Sequence, residues 1–108
     1  MELAKNQLLF LRGLCHNLNP VILLGANGWT DAVLAETEVA LAAHELIKIK
    51  VRAEDREARA ALIEAILAST KAAKVQTIGH TLAIYKPAQK PVIALPKAIK
   101  TPKPKPLI

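Results

Sequence analysis

Aromatic residues and cysteine are scarce in this chain of 108 residues. Aromatic side chains make up 3% of the sequence, and they are Phe10, Trp29 and Tyr85. This number is too small for the array of stacking rings by which RRM-type or OB-type domains hold unpaired bases. The single cysteine, Cys15, cannot form an internal disulfide, which fits a reducing cytosol.

Long apolar runs are also missing. Hydrophobic residues make up 52% of the chain, but charged residues interrupt them before any run reaches the length of a membrane span. The first residues, Met1–Lys5, lack the basic stretch and the apolar core of a signal peptide. We therefore expect a cytoplasmic protein that contacts no membrane.

The familiar patterns of catalysis and metal binding are absent as well. No P-loop and no nucleophile turn occurs in the sequence. Cys15 and His16 are adjacent, so on a helix their side chains diverge by about 100° and do not form a nucleophile–base pair. The three histidines show no zinc-type spacing with cysteine. We expect no enzyme activity, no metal, no cofactor and no small-molecule substrate.

Positive charge is concentrated near the C-terminus. The formal net charge is +6, yet six of the fifteen Lys and Arg residues lie in residues 86–108, which contain no Asp or Glu. Residues 1–85 therefore hold nine basic and nine acidic residues and are formally neutral. Six of the seven prolines follow Lys86. This composition predicts a domain over residues 1–86 and an extended, mostly disordered tail over 87–108, in which only Val92–Leu95 could dock on the domain.

Hydrophobic periodicity predicts one small α/β domain in the order α-β-α-β-α-β-β. The predicted helices cover residues 4–18, 31–44 and a segment after Asp55, and the predicted strands cover 20–24, 45–52, 74–79 and 81–86. Right-handed helical crossovers join the first three strands of a four-stranded mixed sheet, in which the first two strands are expected to be neighbours and the last strand returns antiparallel. The first strand is apolar on both sides, which predicts that both of its faces are covered.

The turn between the first strand and the second helix carries the clearest motif, Gly25-Ala26-Asn27-Gly28, here called the GANG loop. Glycine has no Cβ and tolerates a positive φ, so a bulky partner can come close to the backbone. The helix that follows begins with unpaired N–H groups, which suit a phosphate. An ordinary tight turn is the alternative interpretation of so short a motif.

Basic residues recur at every second position of the second predicted strand. Lys48, Lys50 and Arg52 share one face, with a repeat of about 6.6–6.8 Å that is close to the spacing of phosphates along a nucleic-acid strand. A solvated outer face of the sheet is the alternative explanation. Because the first two strands are expected to be neighbours, the stripe and the GANG loop should form one site, which Arg12 on the first helix could extend.

Trp29 has two interpretations. One residue before the expected N-cap Thr30, it has the spacing to pack against Leu34 as a hydrophobic staple. It could instead stack on an unpaired base. The staple is favoured because its spacing matches that motif.

A set of short motifs follows in order along the chain: Leu11-Arg12-Gly13-Leu14, Asn19-Pro20-Val21, Gly25-Ala26-Asn27-Gly28, His44-Glu45-Leu46-Ile47-Lys48-Ile49-Lys50, Asp55-Arg56-Glu57, Ile78-Gly79 and Tyr85-Lys86-Pro87. Together they resemble the CRM domain (chloroplast RNA splicing and ribosome maturation) in its stand-alone bacterial, YhbY-like form. The resemblance runs over about residues 3–96. Two departures concern the site: Ala26 and Asn27 stand where many members have a basic loop residue, and Trp29 replaces an aliphatic one.

The resemblance implies a fold like that of the C-terminal domain of translation initiation factor three. It implies RNA binding without catalysis and association with precursors of the large (50S) ribosomal subunit. The RNA-binding residues would be Gly25, Ala26, Asn27, Gly28, Lys48, Lys50, Arg52 and Arg12. We expect a monomer whose partner is RNA, and a protein-interaction module with incidental RNA contact is the alternative.

Overall fold

The computed structural model of this chain describes residues 2–99. Within that range the elements occur in the expected order. The helices are α1 (Lys5–Cys15), α2 (Asp31–His44) and α3 (Arg56–Thr70), and the strands are β1 (Pro20–Leu23), β2 (Leu46–Lys50), β3 (Ala73–Ile78) and β4 (Thr81–Tyr85). The predicted α/β class with a four-stranded mixed sheet is confirmed.

Side-chain caps fix where α2 and α3 begin. The Thr30 hydroxyl accepts a hydrogen bond of 3.3 Å from the Val33 N–H, and the Asp55 carboxylate accepts one of 2.7 Å from the Ala58 N–H. Each bond satisfies one of the N–H groups that a helix start leaves without an intrahelical partner. Both starts therefore agree with the sequence prediction.

The sheet has the order β1-β2-β4-β3. β1 and β2 are parallel, as expected, while β4 lies antiparallel between β2 and β3. The parallel pair places the ends of β1 and β2 at the same edge of the sheet. The GANG loop, which follows β1, and Arg52, which follows β2, are therefore brought to that edge.

The two faces of the sheet are covered to different extents. On one face, α2 and α3 pack over the larger core cluster, which includes Leu41, Ile66, Ile49 and Leu82. On the other face, α1 covers a smaller cluster formed with Leu46, Val75, Ala83 and Tyr85. Lys48 and Lys50 alternate with buried Ile47 and Ile49, so they project from the face that α1 covers.

The prediction that β1 is covered on both sides is wrong. Ile22 is buried in the larger cluster, but Val21 and Leu23 on either side of it are 48% and 67% exposed. β1 is an edge strand, and α1 packs chiefly against β2 and β3, so the outer part of that face stays open. The apolar run of β1 thus supplies one side chain to the larger core cluster and two side chains to an exposed surface.

Residues 87–99, here called the strap, form neither a helix nor a strand and run from Glu45, at the end of α2, to α1. Ile93 and Leu95 pack against the smaller cluster, in agreement with the docking considered for Val92–Leu95. Asn6 on α1 holds the strap further along through bonds with Lys97 O and the Ile99 N–H. The division of the chain at residue 86 stays a prediction, and residues 100–108 of the predicted tail lie outside the described range.

Glu45, between α2 and β2, anchors the strap. Its side chain is fully buried, and its carboxylate accepts hydrogen bonds of 2.8, 2.6 and 2.7 Å from the N–H groups of Ala88, Val92 and Ile93. Burial acts to raise the pKa of Glu45, but the three N–H groups outweigh it, so that its pKa lies below the ordinary value of 4.5. Glu45 also has a positive φ of 64°, which is costly for a residue other than glycine.

Within the described range, no helix combines the length and the hydropathy needed to cross a membrane.

Candidate nucleic-acid interface

The GANG loop forms a tight turn closed by a hydrogen bond of 3.0 Å from the Gly28 N–H to the Gly25 carbonyl. Gly28 has a φ of +67°, a conformation that side chains rarely tolerate. Gly25 does not use this conformation, and a Cβ placed there would meet no atom within 4 Å. Only Gly28 is therefore required by the backbone, and the bare surface of Gly25 is free to approach a ligand.

Trp29 leads from the loop into α2 and is held by α3. Its ring packs against the larger core cluster, and its indole Nε1–H donates a hydrogen bond of 3.2 Å to the Ser69 hydroxyl. The ring is therefore anchored to the body of the protein, which favours a packing role over base stacking. The partner on α3 was not foreseen, because Ser69 is forty residues away in sequence.

The start of α2 offers backbone N–H groups beside the loop, but it also carries an acid. Asp31 is exposed in the first turn of α2, where its negative charge interacts favourably with the positive end of the helix dipole and so reduces the positive potential at this end. The loop itself contains no charged residue. The positive charge needed for an anion must therefore come from a neighbouring element.

Arg52 supplies that charge. A shallow cavity of about 500 Å³ is lined by Gly25 and Ala26 on one side and by Arg52 and Glu54 on the other. A backbone bond of 3.0 Å from the Leu24 N–H to the Lys50 carbonyl keeps the two chain segments together at this point. Within residues 2–99, the Arg52 side chain has no ion-pair partner. It is exposed and available to an anion at the loop.

Lys48 and Lys50 continue the positive charge from Arg52 along β2, and both are half-buried. The Lys48 ammonium donates a hydrogen bond of 2.9 Å to the Leu18 carbonyl, so its charge is partly used to hold the connection between α1 and β1. Lys50 makes no side-chain hydrogen bond within the described part of the chain. Lys50 is therefore the lysine of the stripe best able to meet a phosphate.

Arg12 lies away from the loop. Its Nε–H donates a hydrogen bond of 3.0 Å to the Val75 carbonyl on β3, the strand at the far edge of the sheet from β1. Three strand spacings of about 4.8 Å separate these edges, so Arg12 and the loop are more than about 14 Å apart across the sheet. Arg12 can extend a surface that crosses the sheet, but it does not join the cavity at the loop.

The structure also describes the surroundings of Cys15 and of the residues that could bind a metal. Cys15 is fully buried on α1, and this burial raises the pKa of its thiol although nearby Lys48 acts to lower it. Among residues 2–99, no group of three or more His, Cys, Asp or Glu side chains is placed to hold a metal ion.

Comparison with known proteins places this geometry in a family. A family model described as the CRS1/YhbY (CRM) domain matches residues 3–86. The chain is 55% identical over 95 residues to an "RNA-binding protein" of Haemophilus influenzae, an alignment that covers 88% of this chain and 96% of the relative. It is 38% identical over 91 residues to a "Probable RNA-binding protein" of Pseudomonas aeruginosa, covering 84% of this chain and 88% of the relative. None of these names describes a catalytic activity.

A solved structure shares the fold. The solution structure of a hypothetical protein from Staphylococcus aureus superposes with a TM-score of 0.74 at 29% sequence identity, and the match covers 88% of this chain and all of that one. The two proteins thus share a fold although most of their aligned residues differ.

Proposed function

Because the chain belongs to the CRS1/YhbY (CRM) domain family, whose relatives carry RNA-binding names, we propose that it binds RNA of large-subunit (50S) ribosomal precursors in the cytoplasm and acts in their assembly. The observation that carries this proposal is the cavity where uncharged Gly25 and Ala26 face Arg52. The assignment to the large subunit comes from the family resemblance.

In this mechanism the RNA backbone is held from two sides. The bare Gly25 surface and the N–H groups at the start of α2 approach one phosphate, while Arg52 neutralises its charge. Lys50, two residues earlier on the same face, meets the next phosphate, with Lys48 behind it. The contacts are to the backbone, so they fix position on the RNA more than they select a sequence. The chain acts as a monomer and needs no cofactor.

The loop is tested by Gly25→Asp, with Gly13→Asp on α1 as the matched control. A Cβ added at either glycine would meet no atom within 4 Å, and neither glycine has a positive φ, so both variants should fold. A carboxylate at position 25 would stand where the phosphate is expected, and we expect an affinity loss of at least about tenfold for ribosomal RNA. Equal affinities of the two variants, measured by fluorescence anisotropy, would remove the loop from the interface.

The stripe is tested by the salt dependence of binding. Lys50→Gln removes one phosphate contact and should lower the slope of log K against log salt by about 0.7. Lys71→Gln, at the end of α3, removes an exposed lysine beyond the opposite face and should leave the slope unchanged. Deletion of residues 97–108 should lower the slope further if the lysines of the tail contribute loose attraction. A slope equal to that of the intact chain for Lys50→Gln would contradict the role of the stripe.

Sedimentation distinguishes the proposal from a protein-interaction module. The tagged chain should migrate with precursors of the large subunit in a way that high salt and nuclease treatment both abolish. Association with one protein that survives both treatments would favour the alternative.

A further inference from the structure

The face of the sheet that carries Lys48 and Lys50 is only half covered. Pairing between strands places Lys48 beside Ala83 and Ala83 beside Gln76. One step further from α1, Lys50 lies beside Leu23 and Thr81. Thr81 in turn pairs with Ile78 on the outermost strand. These residues, here called the open sheet face, form a surface four strands wide that begins where α1 ends its coverage and leads to the GANG loop.

A groove crosses this surface. Ala83 is its floor, because this small side chain lies between the longer ones of Lys48 and Gln76. Ile78 and Thr81 form its wall on the side of the loop, and the groove encloses about 140 Å³. The Gln76 amide is half-buried and makes no side-chain hydrogen bond within residues 2–99.

Large apolar side chains flank the groove and remain exposed. Leu23 on β1 is 67% exposed and Ile78 on β3 is 63% exposed, although they are placed on a sheet face rather than at a loop tip. They lie on opposite edge strands, about 14 Å apart across three strand spacings, so each is a separate apolar contact at one side of the open sheet face. Between them lie the two lysines, an amide and a hydroxyl.

The charges of the surface favour a nucleic acid as its occupant. None of the four strands contains Asp or Glu, so the charged side chains of the open sheet face are those of Lys48 and Lys50, both positive. Arg12, bonded to the Val75 carbonyl, adds a cation at the edge near Gln76. An unpaired base presents a flat apolar ring with hydrogen-bonding edges, which the apolar side chains and the amide of this surface complement.

We propose that the open sheet face holds unpaired bases of the RNA whose backbone is held at the GANG loop, with Leu23 and Ile78 against the rings and Gln76 on a base edge. This inference rests on the proposed function, and it adds base contacts to the backbone contacts proposed above. Without aromatic rings, the surface selects unpaired RNA over duplex more than it selects a sequence.

The test compares two single strands of equal length and charge: an RNA oligonucleotide of mixed sequence and an abasic ribose–phosphate strand. The intact chain should bind the RNA at least about fivefold more tightly than the abasic strand, since one good base contact contributes about 1 kcal/mol or more. The double variant Leu23→Thr/Ile78→Thr should lose this preference and keep both its affinity for the abasic strand and its salt dependence. Gln76→Leu should lose part of the preference.

Val39→Thr is the matched control, because Val39 is 71% exposed on α2, beyond the opposite face of the sheet. It should bind both strands as the unchanged chain does. Threonine keeps the β-branched shape of Ile78 and Val39 and gives Leu23 a side chain that also suits a strand, and thermal melting followed by circular dichroism checks that the variants fold.

Equal affinity of the unchanged chain for the two strands, or a preference that survives in the double variant, would overturn base docking while backbone binding stands. Absence of salt-sensitive binding to either strand would instead refute the proposed function. A double variant that loses a protein partner but neither strand would also overturn base docking and assign the face to that partner.

Discussion

The carboxylate of Glu45 should be one of the most important single side chains for the stability of this fold. Glu45→Gln keeps its size but removes its charge and replaces one oxygen by an NH₂ group. If the amide oxygen takes the place of Oε1, it can still accept from Val92 and Ile93. The NH₂ group then faces the Ala88 N–H, and two donors meet where a bond of 2.8 Å existed.

The cost follows from these three bonds. An unsatisfied buried donor costs about 1–3 kcal/mol, and each of the two remaining bonds weakens by about 0.5–1 kcal/mol when its acceptor loses its charge. Since the three bonds are only partly buried and water can compensate for part of the loss, the total should be about 2–4 kcal/mol. This is a large part of the roughly 5–15 kcal/mol that stabilises a typical domain.

Urea denaturation followed by circular dichroism at neutral pH measures the effect, and Glu38→Gln is the control. Glu38 lies on α2, the helix that ends just before Glu45, and pairs at 3.5 Å with Lys86, but its side chain is 41% exposed, so its loss should cost at most about 0.5 kcal/mol. Hydrogen exchange at Ala88, Val92 and Ile93 should accelerate in Glu45→Gln alone. A Glu45→Gln variant within about 0.5 kcal/mol of the unchanged chain, with these amides still protected, would refute the reasoning.

Three further predictions concern pH, backbone conformation and the tryptophan. The pKa of folded Glu45 lies below its ordinary value of 4.5, so the contribution of its charge to stability is complete above pH 4.5 and is lost as the pH falls through the lower, folded pKa. The difference in unfolding free energy between the unchanged chain and Glu45→Gln should therefore shrink in that pH range. Urea denaturation at several pH values measures this difference. Gly28→Ala should cost about 1 kcal/mol because of its φ of +67°, whereas Gly25→Ala should change the unfolding free energy by less than about 0.5 kcal/mol; equal effects would contradict the conformational argument. Ser69→Ala removes the acceptor of the Trp29 indole N–H and should shift the emission of this single tryptophan while costing about 0.5–1 kcal/mol; an unchanged spectrum would show that the bond does not hold the ring.

The parts of the fold that the sequence predicted correctly depend on contacts within a few residues. Thr30 and Asp55 cap the N–H groups three residues ahead, so the starts of α2 and α3 were visible locally. The adjacency of β1 and β2 follows from the crossover rule, which needs only the order of elements. These two results were enough to bring Arg52 to the GANG loop.

The parts that were missed depend on distant partners. The first helix was predicted to reach residue 18, but it ends at Cys15. The prediction was too long because Leu18, which lies beyond the helix, packs against the smaller core cluster and so continues the apolar pattern of the helix. The strap is held by a carboxylate more than forty residues earlier. A glutamate at the end of α2, where glycine suits the positive φ better, was the one local sign that this side chain had a special partner.

Along β2 and β4, side chains that pack in the larger core cluster alternate with side chains that face the open side of the sheet. Ile49 and Leu82 are fully buried under α2 and α3, whereas their neighbours Lys50 and Thr81 point to the open side. Truncating the first pair should unfold the protein, because a buried Ile or Leu replaced by Ala costs about 2–5 kcal/mol. Changing the second pair alters only the surface that leads to the GANG loop. One face of the sheet therefore forms the centre of the core, and the part of the other face that α1 leaves open is the surface that we propose for RNA.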